Sequence, residues 1–242
     1  MKTKTSMTII IAFLMLTGSA LMGSCVPIKG VKGDGNVVKE DRKVSGFTSL
    51  EVSGAFNVYL YQGKTESLTV EADQNLMELI KTEVKGDRLE IYTEGKNIRD
   101  YTELNIYLSF KDLEMIDISG AVSITAEDKL IFDKLNIDGS GASEITLNMD
   151  VNMFDADISG ASEIELMGKA ETARFDFSGA SEIDAFDFVI EHCELDVSGA
   201  SEARIHVNGS LDVDVSGAAD VKYKGSPSLK SDISGAASLR SY

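Results

Sequence analysis

Beyond about residue 46 the chain alternates apolar and polar side chains with a period of two. Phe154, Ala156 and Ile158 alternate with Asp155, Asp157 and Ser159, and Leu211, Val213 and Val215 alternate with Asp212 and Asp214. Such alternation predicts strands with one buried and one wet face. A second short strand follows each of these, as in Glu144-Ile145-Thr146-Leu147 and Glu163-Ile164-Glu165-Leu166, and between the two sits Ser-Gly-Ala. That tripeptide occurs eight times, its glycines being Gly54, Gly120, Gly141, Gly160, Gly179, Gly199, Gly217 and Gly235. From Gly120 onward the intervals are 21, 19, 19, 20, 18 and 18 residues. Each repeat therefore holds a strand, a bend, a strand and a return loop.

A unit of that size cannot bury its own apolar face, whereas like strands stacked on like strands bury all of them together. The economical architecture is all-β: a single-domain parallel β-helix, or β-solenoid, of about 19-residue coils. Leu135, Ile137, Phe154, Ile158, Phe175, Phe177, Val197, Val213 and Ile233 occupy its inward positions. With strands about 4.8 Å apart, seven turns span roughly 30 Å. An antiparallel sandwich of hairpins is the competing solution, and it explains a fixed phase less naturally. The regular coils cover 113–242. Upstream, Leu50-Glu51-Val52-Ser53-Gly54 nearly reproduces Leu195-Asp196-Val197-Ser198-Gly199, and alternations begin at Leu68, Leu89 and Leu104. Residues 46–112 thus read as irregular opening coils of the same solenoid. Leu76, Leu79 and Ile80 fall at helical spacing, which predicts a short helix near 74–81. Residues 25–45, with Pro27 and several glycines, read as a tether.

The N-terminus adds location. Lys2 and Lys4 precede a mostly apolar stretch, Met7 to Leu21, too short for a comfortable membrane span and suited to an export signal over 1–24. Small residues run into Cys25 as in a bacterial lipobox, which predicts cleavage before Cys25 and lipidation of its thiol. The anchor is then lipid at the outer membrane of the cell envelope, facing the periplasm because Val26-Pro27-Ile28-Lys29-Gly30 carries no acidic run of the surface-export kind, with surface exposure the alternative. Only Cys193 is left for a disulfide, so none forms within the chain. His192-Cys193 supplies too few ligands for a metal and reads as a buried thiol in a strand.

Charge narrows the partners. The formal net charge is −17, which repels nucleic acid and anionic headgroups. Two acidic columns accompany the bends: Asp117, Asp138, Asp157, Asp176, Asp196, Asp214 and Asp232 two residues before each serine, and Glu144, Glu163, Glu182, Glu202 and Asp220 four after. Stacked carboxylates must be hydrated, hydrogen-bonded or bridged by cations. Calcium suits such oxygens, yet neither a calcium-binding nonapeptide nor an EF-hand spacing is present; a hydrated face is the expectation, and a ligand or cation face the alternative. A third outward position changes sign along the chain: Thr146, Glu165, Asp184, Arg204, Lys222, Arg240. It predicts ion pairs between neighbouring coils near the C-terminal end, where an uncovered coil would also invite a homo-oligomer. No histidine or lysine recurs in phase to activate the serines, and every carboxylate pair is repeated rather than unique, so no catalytic residue and no cofactor is expected.

Val44-Ser45-Gly46-Phe47-Thr48-Ser49-Leu50-Glu51-Val52-Ser53-Gly54, Val70-Glu71-Ala72-Asp73-Gln74-Asn75-Leu76 and the Asp-Ile-Ser-Gly-Ala bends together resemble the putative auto-transporter adhesin, head GIN domain family. The resemblance covers nearly all of the chain after Cys25. It implies a right-handed β-helix-like fold and an adhesive role, and brings no catalytic residues. The expected function is a lipid-anchored envelope adhesin or binding module presenting an acidic face to protein or glycan. A self-associating structural element is the alternative, and a carbohydrate-active enzyme a third.

Overall fold

The computed structural model describes residues 30–95 and 97–242. The predicted signal peptide and Cys25 lie outside the described residues. Fifteen strands account for nearly all regular structure: β1 (Gly30–Lys32), β2 (Val37–Arg42), β3 (Ser49–Gly54), β4 (Asn57–Gln62), β5 (Ser67–Asp73), β6 (Ile80–Lys85), β7 (Arg88–Thr93), β8 (Asn97–Arg99), β9 (Leu104–Phe110), β10 (Met115–Gly179), β11 (Glu182–Val197), β12 (Glu202–Val215), β13 (Asp220–Lys224), β14 (Ser228–Ile233) and β15 (Ser238–Ser241). The long β10 bends at each Ser-Gly-Ala and spans several repeats.

Pairing follows the repeat. Phe175 sits beside Leu195 and Phe177 beside Val197 where β10 meets β11. Leu195 in turn sits beside Val213 and Val197 beside Val215 where β11 meets β12. Like residues thus lie on like residues in parallel register, and their inward side chains merge into one core. Burying one such Leu, Val or Phe side chain is worth about 1.5–3 kcal/mol, which no isolated repeat could collect. The upstream Ser-Gly-Ala joins the same sheet, Gly54 of β3 pairing with Gly120 of β10.

The sheet as a whole is mixed. β2 runs antiparallel to β5, β5 to β9 and β6 to β7, whereas β3, β4 and all strands from β10 onward pair parallel with their neighbours there. An all-parallel stack is therefore not what residues 30–112 adopt. Period-two alternation serves either strand direction, and hairpins such as β6–β7 close more readily locally. Two strands, β1 and β2, also fall within the stretch expected as tether. The helix expected at 74–81 is a single 3-10 turn, Gln74–Leu76, after which Ile80 already opens β6. Its apolar spacing arises because Leu76 and Ile80 enter the core from two different elements.

One inward residue is not buried. Ile233 continues the column of Val215 but is 43% exposed, as is Leu229. Both lie on β14, which pairs with β12 alone among the described strands, so their outer sides lack a covering layer.

Candidate functional site

The geometry of the bends comes from glycine. Gly160 and Gly179 have φ of +115° and +107°, a region L side chains rarely enter. A Cβ on Gly160 would collide with the carbonyl oxygen of Gly141, and one on Gly179 with that of Gly160. Backbone thus approaches backbone at each bend from Gly120 onward, and Ala180 N–H donates to the Gly160 carbonyl at 2.8 Å to lock the layers. The serines before the glycines serve the same scaffold: Ser198 Oγ donates to the Phe177 carbonyl at 3.4 Å, and Ser53 and Ser119 share a hydrogen bond at 2.8 Å.

These slim corners leave a groove of about 690 Å³ running across the layers. Its walls are the alanines that follow the glycines and the glutamate column Glu144, Glu163, Glu182 and Glu202, with Asn57 at one end. Register aligns the column, Glu163 beside Glu182, Glu182 beside Glu202, and Glu202 beside Asp220. Charge compensation is graded along it. Glu202 accepts from Lys222 at 2.9 Å and from Arg204 at 3.0 Å, and these bonds hold its carboxyl below the usual range. Asp220 is held below its usual value by the Ser238 hydroxyl, against some burial. Arg204 also reaches Asp184 at 3.3 Å, so the expected ion pairs between layers form where the third outward position turns basic. Farther from that end, Lys169 and Lys129 instead pair with Asp150. Glu144 and Glu163 face the groove with no cation paired to them among the described residues.

The aspartate column is equally in register, Asp176 beside Asp196 and Asp196 beside Asp214, but it does not line that groove. Asp138 and Asp157, with Asp117, border a separate hollow of about 210 Å³. Partial burial, then the charge of Asp157 and Asp117, pushes the Asp138 carboxyl above its ordinary value; Asp196 is raised in the same way, burial first and Asp176 next. The two columns are therefore distinct surfaces, one a groove with cations at one end and one a strip of mutual repulsion. Among the described residues no group of three or more His, Cys, Asp and Glu is placed to hold a metal ion.

Sequence alternation had also hidden a third column. Ser143, Ser162, Ser181 and Ser201, two residues after the bend glycines, are buried. They share the inward parity of Ile145 and Ile164, a signal present in the recurring Ala-Ser-Glu. Among the described residues the hydroxyls of Ser143, Ser162 and Ser181 have no hydrogen-bond partner.

Two further sequence features are structural. Asp73 is fully buried, and burial alone would raise its carboxyl; backbone N–H groups of Thr102 and Gly35, the Thr102 hydroxyl and the Glu103 backbone outweigh that and bring it below its usual value. Gln74 and Asn75 complete this clasp, Gln74 accepting from Asn36 at 2.6 Å and Asn75 donating to the Lys32 carbonyl at 2.7 Å. Cys193 is buried, its thiol pushed up to about 12 by desolvation, and His192 turns outward to Ser210 at 2.9 Å. The pair does not converge on a site.

The model of a family described as putative auto-transporter adhesin, head GIN domain, matches residues 46–227. Among solved structures, a putative adhesin of Bacteroides fragilis is 22% identical, with a TM-score of 0.84, over 88% of this chain and 100% of its own. A putative adhesin of Parabacteroides distasonis is 23% identical, with a TM-score of 0.67, over the same shares. A putative lipid binding protein of Parabacteroides distasonis is 25% identical, with a TM-score of 0.65, again over 88% and 100%. No curated protein matches the chain.

Proposed function

Because the chain belongs to the putative auto-transporter adhesin, head GIN domain family, we propose that it is a non-catalytic binding module of the cell envelope, anchored through lipid on Cys25 at the outer membrane. Its repeat half is read as a right-handed parallel β-solenoid whose groove takes an extended ligand, a glycan or a protein segment. One observation carries this reading: the groove repeats the same alanine and glutamate lining layer after layer. Such a surface suits a ligand that is itself repetitive or extended, and it offers no unique pair of groups to one scissile bond.

The test is binding of the full-length, detergent-solubilised protein to a glycan array and to envelope protein fractions, repeated with Glu163→Gln/Glu182→Gln. Retained folding with lost binding supports the groove, and binding indifferent to the double change removes it. Protease shaving of intact cells separates periplasmic from surface display.

A second reading, self-association, has its own observation in the exposed Leu229 and Ile233 of β14. An antiparallel pairing of two copies of this strand centred on Ser231 sets Lys230 opposite Asp232 and Leu229 opposite Ile233. Sedimentation that shows only monomer at high concentration would dismiss it.

A further inference from the structure

Tyr59 on β4 and Tyr107 on β9 are register partners, and their rings lie nearly parallel, centroids 5.1 Å apart with 15° between planes. Tyr107 is fixed on several sides. Its hydroxyl donates to Glu71 Oε2 at 2.6 Å, the Lys39 ammonium lies 4.7 Å from its ring centroid, and Lys39 pairs with Glu71 at 3.3 Å. The strand order β4, β9, β5, β2 places Lys39 on the side of Tyr107 away from Tyr59. One end of the aromatic stack is thus closed by a cation.

The other end is open. Beyond Tyr59 the next strand contributes Thr125, a side chain too short to cover an aromatic face. A cleft of about 250 Å³ opens at this point, lined by Tyr59, Tyr61, Tyr107, Thr125, Glu127 and Asp128. Tyr61 is 45% exposed, Glu127 and Asp128 stand exposed at the rim, and the neighbouring Lys129 is engaged by Asp150 at 2.9 Å rather than by either. Asn57, at one end of the groove, lies two residues before Tyr59 on the same outward face and donates to Asn105 at 3.0 Å.

We propose that this cleft binds one pyranose ring, its C–H face seated on the open face of Tyr59 and its hydroxyls bonded to Glu127, Asp128 and Thr125. The chemistry selects this class. An aromatic face held rigid by a stack offers apolar contact at little entropic cost, and two carboxylates with a hydroxyl are acceptors for several O–H donors. Anionic ligands are repelled by the same carboxylates. The volume falls below the roughly 300–1,000 Å³ of sites for drug-sized ligands, which limits the occupant to a single ring or the terminal ring of a chain. The inference rests on the glycan form of the reading above, and makes this cleft the anchoring end of the groove.

The experiment is saturation-transfer NMR on the full-length protein in detergent, with the methyl glycosides of glucose, galactose, mannose and N-acetylglucosamine each at millimolar concentration, and choline as a cationic probe. At least one glycoside is expected to receive saturation chiefly on the C–H protons of one ring face. Tyr59→Phe retains that binding, Tyr59→Ala weakens it at least tenfold, and Glu127→Gln/Asp128→Asn, made at exposed positions where folding is not at stake, weakens it several-fold. Absence of saturation for all four glycosides, binding unaffected by both Tyr59→Ala and the rim double change, or binding of choline alone each overturns the proposal. Array binding lost on Glu163→Gln/Glu182→Gln but unmoved by Tyr59→Ala overturns the cleft and leaves the groove standing; glycoside binding lost on Tyr59→Ala with no groove dependence does the reverse.

Discussion

Replacing Gly160 by alanine tests whether the bends are set by backbone-to-backbone packing. Two costs combine. An L residue held at φ +115° carries strain of about 1–3 kcal/mol. The new Cβ also runs into the Gly141 carbonyl of the layer beneath, and forcing layers apart in a packed structure costs about 1–3 kcal/mol more. Together they amount to roughly 2–6 kcal/mol, a large part of the 5–15 kcal/mol that holds an ordinary domain. Gly86, in the turn between β6 and β7, is the control: its φ is +66°, and a Cβ there meets nothing within 4 Å. Gly86→Ala carries only the left-handed strain, about 1–2 kcal/mol. Urea unfolding followed by far-ultraviolet circular dichroism and tyrosine fluorescence compares the two, with coincident transitions as the check that each unfolds in one step. Equal losses for the two variants would refute the stacking argument, because the collision exists at only one of them.

Three other perturbations separate polar groups in different surroundings, Ser162 and Asp73 buried and Asp138 exposed. Ser162→Ala removes an unpartnered hydroxyl, and Ala219 already fills the equivalent place after Gly217 and is buried; stability is expected to rise by about 1 kcal/mol, and a loss in urea melts would show that the hydroxyl has a partner. Asp73→Ala strips the Gly35 and Thr102 N–H groups of their acceptor, at about 2–4 kcal/mol. Since the folded carboxyl is held below its unfolded value, that stability is present above about pH 4 and drains as pH falls through the lowered value; the variant should show a flatter acid limb in melts from pH 7 to pH 2. Asp138 has the opposite sign, its carboxyl raised in the fold, so ionised Asp138 opposes folding at neutral pH and the penalty fades as pH falls toward the raised value. Asp138→Asn is therefore expected to gain a few tenths of a kcal/mol up to about 1 at pH 7, the gain vanishing near pH 4; a gain that grows on acidification would contradict the assignment.

What alternation reveals is parity, and what it conceals is strand direction. Leu195, Val197, Leu211 and Val213 could be placed inside from the sequence because the bends fix which residues share a layer. Around Val37–Arg42 and Ile80–Lys85 no such marker exists, and the same period-two pattern turned out to build antiparallel ladders. Ser143 and Ser162 were overlooked because serine reads as a surface residue, although their parity with Ile145 and Ile164 was on display. The two acidic columns were legible as columns, but only coordinates show that the glutamates border a groove while the aspartates border another hollow. Tyr59 and Tyr107 carry no local signal at all; register across β4 and β9 alone makes them neighbours.

The repeats differ in length, yet the bends stay in line. Against β12, the pairing of β11 shifts between Ala185 and Val189 and again, by less and in the opposite sense, between Ile190 and His192, while Glu182 remains beside Glu202 and Asp196 beside Asp214. The residues without a partner in β12, Phe186 to Phe188, lie on the stretch between bends, with Phe188 taken into the core. The molecule thus separates a place where length is free from a place where it is fixed. Gly160 and Gly179 occupy superposable positions, so excising residues 160–178 would join Ser159 to Gly179 and regenerate Ser-Gly-Ala at the seam. The reach of the groove can in this way be shortened or extended by whole modules, without redesigning a single joint.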